Sequence, residues 1–200
     1  MNGPDHYLTL AEESGAQLRE KASRFIAYAF PIADEDDFKQ RLEALAAKHH
    51  DSRHVCYAWV LGAGGERHRA NDAGEPNGTA GAPILRHLQG AGLTFAAVVV
   101  VRYFGGTKLG RGGLVRAYGD VAREAIAANR TVTGIVQEEL RFRCAYDQVE
   151  RIRQQVLDLG GKVVEQRFGA DCDMHVTLPR NAVAGFREQW SVLRYEADGK

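Results

Sequence analysis

The sequence predicts an α+β protein of two domains, on three observations. Stretches with the two-residue apolar alternation of strands interleave with stretches of helical spacing along the chain. The pattern restarts after Asn129, where Thr131–Val136 reads as a strand or linker. Beyond that point it reads strand, helix, strand, strand, helix, the order of a small ferredoxin-like α/β-plait whose fourth strand is short or absent. A chain of 200 residues suffices for two such units. We place the domains at 1–136 and 137–200.

The elements follow in order. Residues 1–6 read as irregular. Tyr7–Leu10 and Gln17–Ile32 read as strands separated by a turn at Glu13-Ser14-Gly15, with Pro31 closing the second. Asp34 to Asp37 supply a cap and an acidic first turn for a helix whose buried face is Phe38, Leu42 and Leu45. Val55–Leu61 is the next strand. His49, His50 and His54 precede it, but no matching ligand set follows, so they read as a polar helix end beside Lys48, and no metal is expected. Residues 62–78 read as one long polar loop, and a loop of that length inside a compact domain is often functional. Thr79 can cap a short helix running to Leu88, with Pro83 tolerated in its first turn.

The segment from Phe95 to Ala128 organises the rest. An unbroken apolar run, Phe95 to Val101, reads as a strand buried on both faces. Leu114, Ala117, Tyr118, Val121, Ala125 and Ile126 mark one face of a helix starting near Gly113. Between them lie Gly105, Gly106, Gly110, Gly112 and Gly113. Arg102, Lys108, Arg111 and Arg116 fall in the same stretch, and no acid falls among them. Glycines permit positive φ and close approach of another molecule, while a helix start offers free N–H groups and a positive dipole end. Together they fit an anion site. They equally fit a tight strand-to-helix turn with solvated cations. Neither the P-loop nor the dinucleotide-binding fingerprint is present: Lys108 is followed by Leu109, and Val115 stands where the second motif needs glycine.

In the second domain, Leu140, Phe142, Cys144 and Tyr146 alternate with polar residues as in a strand with one solvated face. Val149, Ile152, Val156 and Leu159 give a helix ended by Gly160-Gly161. Val163–Phe168 and Cys172–Leu178 are two strands joined by a turn at Gly169. Residues 180–193 form a last helix through Val183, Phe186, Trp190 and Leu193.

Composition bounds the function. Lysine plus arginine equals aspartate plus glutamate, 26 of each, so no global field draws the protein to nucleic acid or membrane. Any nucleic-acid affinity must come from a local patch. No stretch of 18 apolar residues occurs, so no membrane is expected. The N-terminus lacks a basic segment followed by an apolar one. Three cysteines without a C-x-x-C pair fit a reducing compartment, and a cytoplasmic protein is expected.

Four blocks of the first domain resemble the YigZ/IMPACT family. They are Lys21 to Ile26, His54 to Ala58, Asp72 to Leu85 (DAGEPNGTAGAPIL) and Val100 to Tyr118 (VVRYFGGTKLGRGGLVRAY). Ala73 stands where many members carry a second acid, and Asn77 where serine is common. The resemblance implies a first domain with the fold shared by a ribosomal small-subunit protein and domain IV of the translocating elongation factor. A plait like that factor's domain V follows it. No cofactor is expected. Eukaryotic members regulate translation by competing for a partner of a starvation-sensing kinase, and for bacterial members the fold suggests nucleic-acid or ribosome binding.

Two readings of function result. In the first, the protein binds RNA, a ribosomal surface or a translation-regulatory protein without chemistry. Its face comprises Arg102, Tyr103, Gly105, Gly106, Lys108, Arg111, Gly112, Gly113 and Arg116, with Tyr103 or Phe104 free to stack on a base unless it packs in the core. In the second, His54, Asp72 and Glu75 supply acid–base groups of an enzyme acting on a small anion.

Overall fold

The computed structural model describes residues 5–195; of the segment read as irregular, 1–4 lie outside the described residues. The chain divides into two compact units, 1–134 and 135–200.

The first unit contains β1 (His6–Leu10), β2 (Ser14–Glu20), β3 (Ser23–Pro31), α1 (Glu35–Lys48), β4 (His54–Leu61), β5 (Arg67–Asn71), α2 (Gly81–Gly90), β6 (Ala96–Tyr103), α3 (Gly110–Ala127) and all but the last residue of β7 (Thr131–Ile135). Five strands form an antiparallel sheet in the order β2-β3-β6-β4-β5. The apolar run of β6 takes its centre, because residues with no polar side chain can face helices on both sides. Ala96, Val98 and Val100 point to one layer, with Ile84 and Leu88 of α2 and Tyr118 and Val121 of α3. Ala97 and Val99 point to the other, with Phe38 and Leu45 of α1 and Trp59 of β4. Asp34 caps α1 through the amides of Asp36 and Asp37, as expected.

The second unit contains β8 (Gln137–Cys144), α4 (Val149–Asp158), β9 (Lys162–Phe168), β10 (Cys172–Pro179), α5 (Arg180–Gln189) and β11 (Arg194–Tyr195). Its antiparallel sheet has the order β11-β8-β10-β9, the ferredoxin-like plait, and the fourth strand is two residues long. Leu140, Phe142, Met174 and Val176 meet Ile152, Val156, Val183 and Phe186 in its core. The Gly161 amide bonds Val156 O at 2.8 Å and Gly160 has φ 80°, closing α4 at the glycine pair.

Several expectations are corrected. Gln17–Ile32 is not one strand: the chain reverses at Lys21-Ala22, with φ of 45° and 64°, between the paired residues Glu20 and Ser23. Two positive φ values suit a tight hairpin turn that Asn and Gly normally announce, and neither is present. Ser14 and Gly15, read as a turn, lie in β2. The polar stretch 62–78 holds β5, an edge strand exposed on both faces and therefore without apolar alternation. Tyr146 leaves β8 for a short 3-10 turn, α3 begins at Gly110, and α5 stops at Gln189. His6 already belongs to β1.

Candidate functional site

The end of β6, the start of β4 and the turn after β5 meet at the same edge of the first unit. There they assemble residues that lie up to 95 positions apart, from Ser23 to Tyr118. Arg102, expected on a solvent-facing patch, is buried instead. Its Nη1 donates to Glu75 Oε1 at 2.6 Å and its Nη2 to Ser23 Oγ at 3.4 Å, while its guanidinium lies 5.4 Å from the Phe25 and Phe104 ring centres. The parity of β6 explains this. Residue 102 follows 98 and 100 on the face toward α2 and α3, and a cation placed there needs a carboxylate partner. Arg102 Nε is buried and unbonded.

Glu75 Oε1 also accepts from the Tyr118 hydroxyl at 2.8 Å, and His54 Nε2 stands 3.9 Å away. His54 Nδ1 donates to Ala73 O at 2.9 Å. The Cys56 thiol lies 3.0 Å from Asp72 O and 3.4 Å from the Tyr118 hydroxyl. Burial pushes the Cys56 thiol up to about 12, and burial followed by the neighbouring Cys56 pushes the Tyr118 phenol well above its ordinary range. These groups hold their protons near neutrality.

Asp72 does something else. Its Oδ1 accepts from the amides of Ala80 and Gly81, both at 2.9 Å, and its Oδ2 from Gly78 at 2.8 Å. It therefore caps α2, the role expected of Thr79, whose hydroxyl bonds Pro76 O instead. Burial alone would raise the Asp72 carboxyl, but the three amides and then Arg111 outweigh it and hold it below the usual range. The trio His54, Asp72 and Glu75 thus does not form one open acid–base site. Asp72 is spent on a helix end and Glu75 on Arg102. Among the described residues, no three of His, Cys, Asp and Glu stand together in a way that could hold a metal ion.

Tyr103 is also engaged. Its hydroxyl donates to Asp51 Oδ1 at 3.1 Å, so it accepts from His49 Nδ1 at 2.9 Å. His49 Nε2 in turn accepts from the Tyr28 hydroxyl at 2.8 Å. Arg24, the register partner of Tyr103, covers its ring at 4.5 Å. Phe104 is 41% exposed and Tyr103 half-buried, so Phe104 is the more open of the two aromatics. The glycines separate by cause. A Cβ on Gly105 would run into the backbone of Ala22 and Ser23, so this glycine admits the β2–β3 hairpin, and no outside molecule fills that space. Gly106 and Gly110 turn the chain with φ of 85° and 72°. A Cβ on Gly113 would press on Leu109 at 3.0 Å, whereas one on Gly112 would meet only the end of the Arg116 side chain, at 4.0 Å.

At the start of α3 no side chain caps the helix and its first turn holds no acid. Lys108, Arg111 and Arg116 are exposed there, and Arg111 Nη2 donates to Asn77 O at 2.8 Å.

Residues 21–126 match the Impact N-terminal domain family model. The chain belongs to the IMPACT family. It is 38% identical over 168 residues to the IMPACT family member YigZ of Escherichia coli (strain K12), spanning 83% of this chain and 82% of that protein. An IMPACT family member of Thermus thermophilus is 43% identical over 131 residues, 65% of this chain and 69% of that protein. A crystal structure of a hypothetical protein superposes with a TM-score of 0.80 at 32% identity, covering 98% of this chain and 99% of that one. The four family blocks converge here. Ser23, His54, Cys56, Asp72, Glu75, Arg102, Gly105 and Tyr118 bond or pack against one another, so much of the IMPACT signature is architecture.

Proposed function

We propose that this protein is a non-enzymatic, translation-linked regulatory protein that engages RNA, on the ribosome or near it, through the start of α3. The link to translation rests on family membership and on the regulatory role of its eukaryotic members. The contact face rests on one observation: with Arg102 buried, Lys108, Arg111 and Arg116 are the cations of the Val100 to Tyr118 block that stay exposed, with Gly112 beside them, around a helix start that no side chain caps. Exposed amides at a positive dipole end, with cations beside them, attract phosphate oxygens. α2 offers the contrast, since Asp72 already occupies its amides. With zero net charge, affinity is modest and falls with salt.

The test is a Lys108→Ala/Arg111→Ala double variant titrated with single-stranded RNA across a salt series. Loss of two phosphate contacts should lower the slope of log K against log salt by about 1.4. An unchanged affinity and slope would overturn the reading.

A further inference from the structure

A groove of about 270 Å³ runs between α2 and α3, and Arg86, His87, Arg116 and Asp120 line it. Gly119 lets the helices approach: a Cβ there would stand 3.2 Å from His87 Nε2 and 3.8 Å from Pro83 Cβ. Glycine in a helix interior costs roughly 1 kcal/mol relative to alanine, so close apposition is retained against local preference. It brings Arg86 of one helix beside Arg116 of the other. Among the described residues neither guanidinium has an ion-pair partner, and both are exposed. The groove's acid, Asp120, lies 3.5 Å from Arg123 Nη2 and so has a cation of its own. Arg116 also reaches the other way, its Nη1 being 4.0 Å from where a Gly112 Cβ would stand. It therefore joins the groove to the first turn of α3.

We infer that the α2–α3 groove seats a further phosphate of the same RNA strand, held between Arg86 and Arg116 with His87 beside them. This rests on the RNA-binding reading above and extends it to α2, from which no contact residue had been expected. The choice of RNA over an acidic protein follows from the groove's small size and its paired cations. Pro83, Val115 and Gly119 offer no deep pocket for the large aromatic or aliphatic anchor that protein partners use, whereas a phosphodiester needs only cations and polar donors. Two guanidinium forks suit phosphate geometry.

The experiment titrates a labelled single-stranded oligouridylate over a KCl series against wild type, Arg86→Ala, and Lys108→Ala/Arg111→Ala. Arg86 is exposed within a helix, and thermal melts confirm that its variant folds. We expect Arg86→Ala to lower the salt slope by about 0.7, one phosphate's worth, and to weaken binding at every salt concentration. A wild-type slope for Arg86→Ala, with a reduced one for the α3 variant, would overturn the groove assignment alone. Wild-type slopes for both variants would overturn the RNA-binding reading and the groove with it. Polyglutamate that displaces the RNA in an Arg86-dependent manner, at matched charge, would assign the groove to acidic peptide and overturn it as well.

Discussion

Glu75 Oε1 lies 2.6 Å from Arg102 Nη1, with the two side chains 4% and 5% exposed. This pair ties the turn after β5 to the end of β6, and Tyr118 of α3 donates to the same carboxylate oxygen. Removing one member leaves the other charged and buried, which costs about 3–5 kcal/mol. Arg102→Ala should therefore lower the unfolding free energy by that amount, read from urea titrations. Replacing both, as Glu75→Leu with Arg102→Met, should recover more than half, since no buried charge then remains. A cost below about 1 kcal/mol for Arg102→Ala would place the pair in effective contact with water, where ion pairs are worth that little.

Asp72 gives a prediction of different sign in pH. Its carboxyl is held below its unfolded value, so its contribution is complete above about pH 4 and is lost as pH falls through the lowered value. Asp72→Ala should cost about 1–2 kcal/mol at neutral pH, because the first amides of α2 lose their acceptor. Its acid-unfolding profile should also be flatter than wild type below about pH 4. Equal slopes for the two proteins would show that the cap forms without the charge.

The plait and the sheet were legible because their elements carry strong periods. Val163, Met174 and Phe186 sit where alternation and helical spacing put them. The buried cluster was not. Arg102 has the letters of a surface cation, and only the pairing of β6 with β3 and β4 shows which layer it enters. The Lys21-Ala22 turn was invisible because its positive φ values fall on residues that carry no turn preference. Asp72 could have been found, since an acid eight residues before Ala80 lies on a glycine-rich turn able to fold back. Arg86 offered no signal at all, because its relation to Arg116 arises only from helix packing across Gly119.

His49 and His87 make stability fall on mild acidification. Burial lowers His49, Lys48 and Arg24 reinforce this, and Asp51 opposes it. Burial likewise lowers His87, with Arg123 and Arg86 reinforcing and Asp120 opposing. With folded values below the unfolded one of about 6.5, the unfolded chain binds protons that the native protein refuses. Unfolding free energy should therefore drop between about pH 7 and pH 5, and His49→Asn should flatten that drop even though it loses the bonds to Tyr28 and Tyr103. A profile as steep as wild type would assign the effect to other groups.

Gly105 and Gly112 lie in one motif, the first in the loop after β6 and the second in the first turn of α3, yet alanine should act on them in opposite directions. At Gly105 the added Cβ meets the backbone of Ala22 and Ser23, which cannot rotate away as a side chain could, so β3 or the loop must shift. The cost should be at least the 1–3 kcal/mol typical of overpacking. At Gly112 the Cβ, in the first turn of α3, meets only the flexible end of Arg116 at 4.0 Å, and alanine is the better helix former by up to roughly 1 kcal/mol. Gly112→Ala should therefore raise the melting temperature while weakening RNA binding, because the methyl group stands over the amides that would meet a phosphate. Thermal melts and RNA titrations on the two variants separate packing from contact. A Gly112→Ala protein that is more stable and binds RNA as wild type does would remove that amide face from the proposed contact.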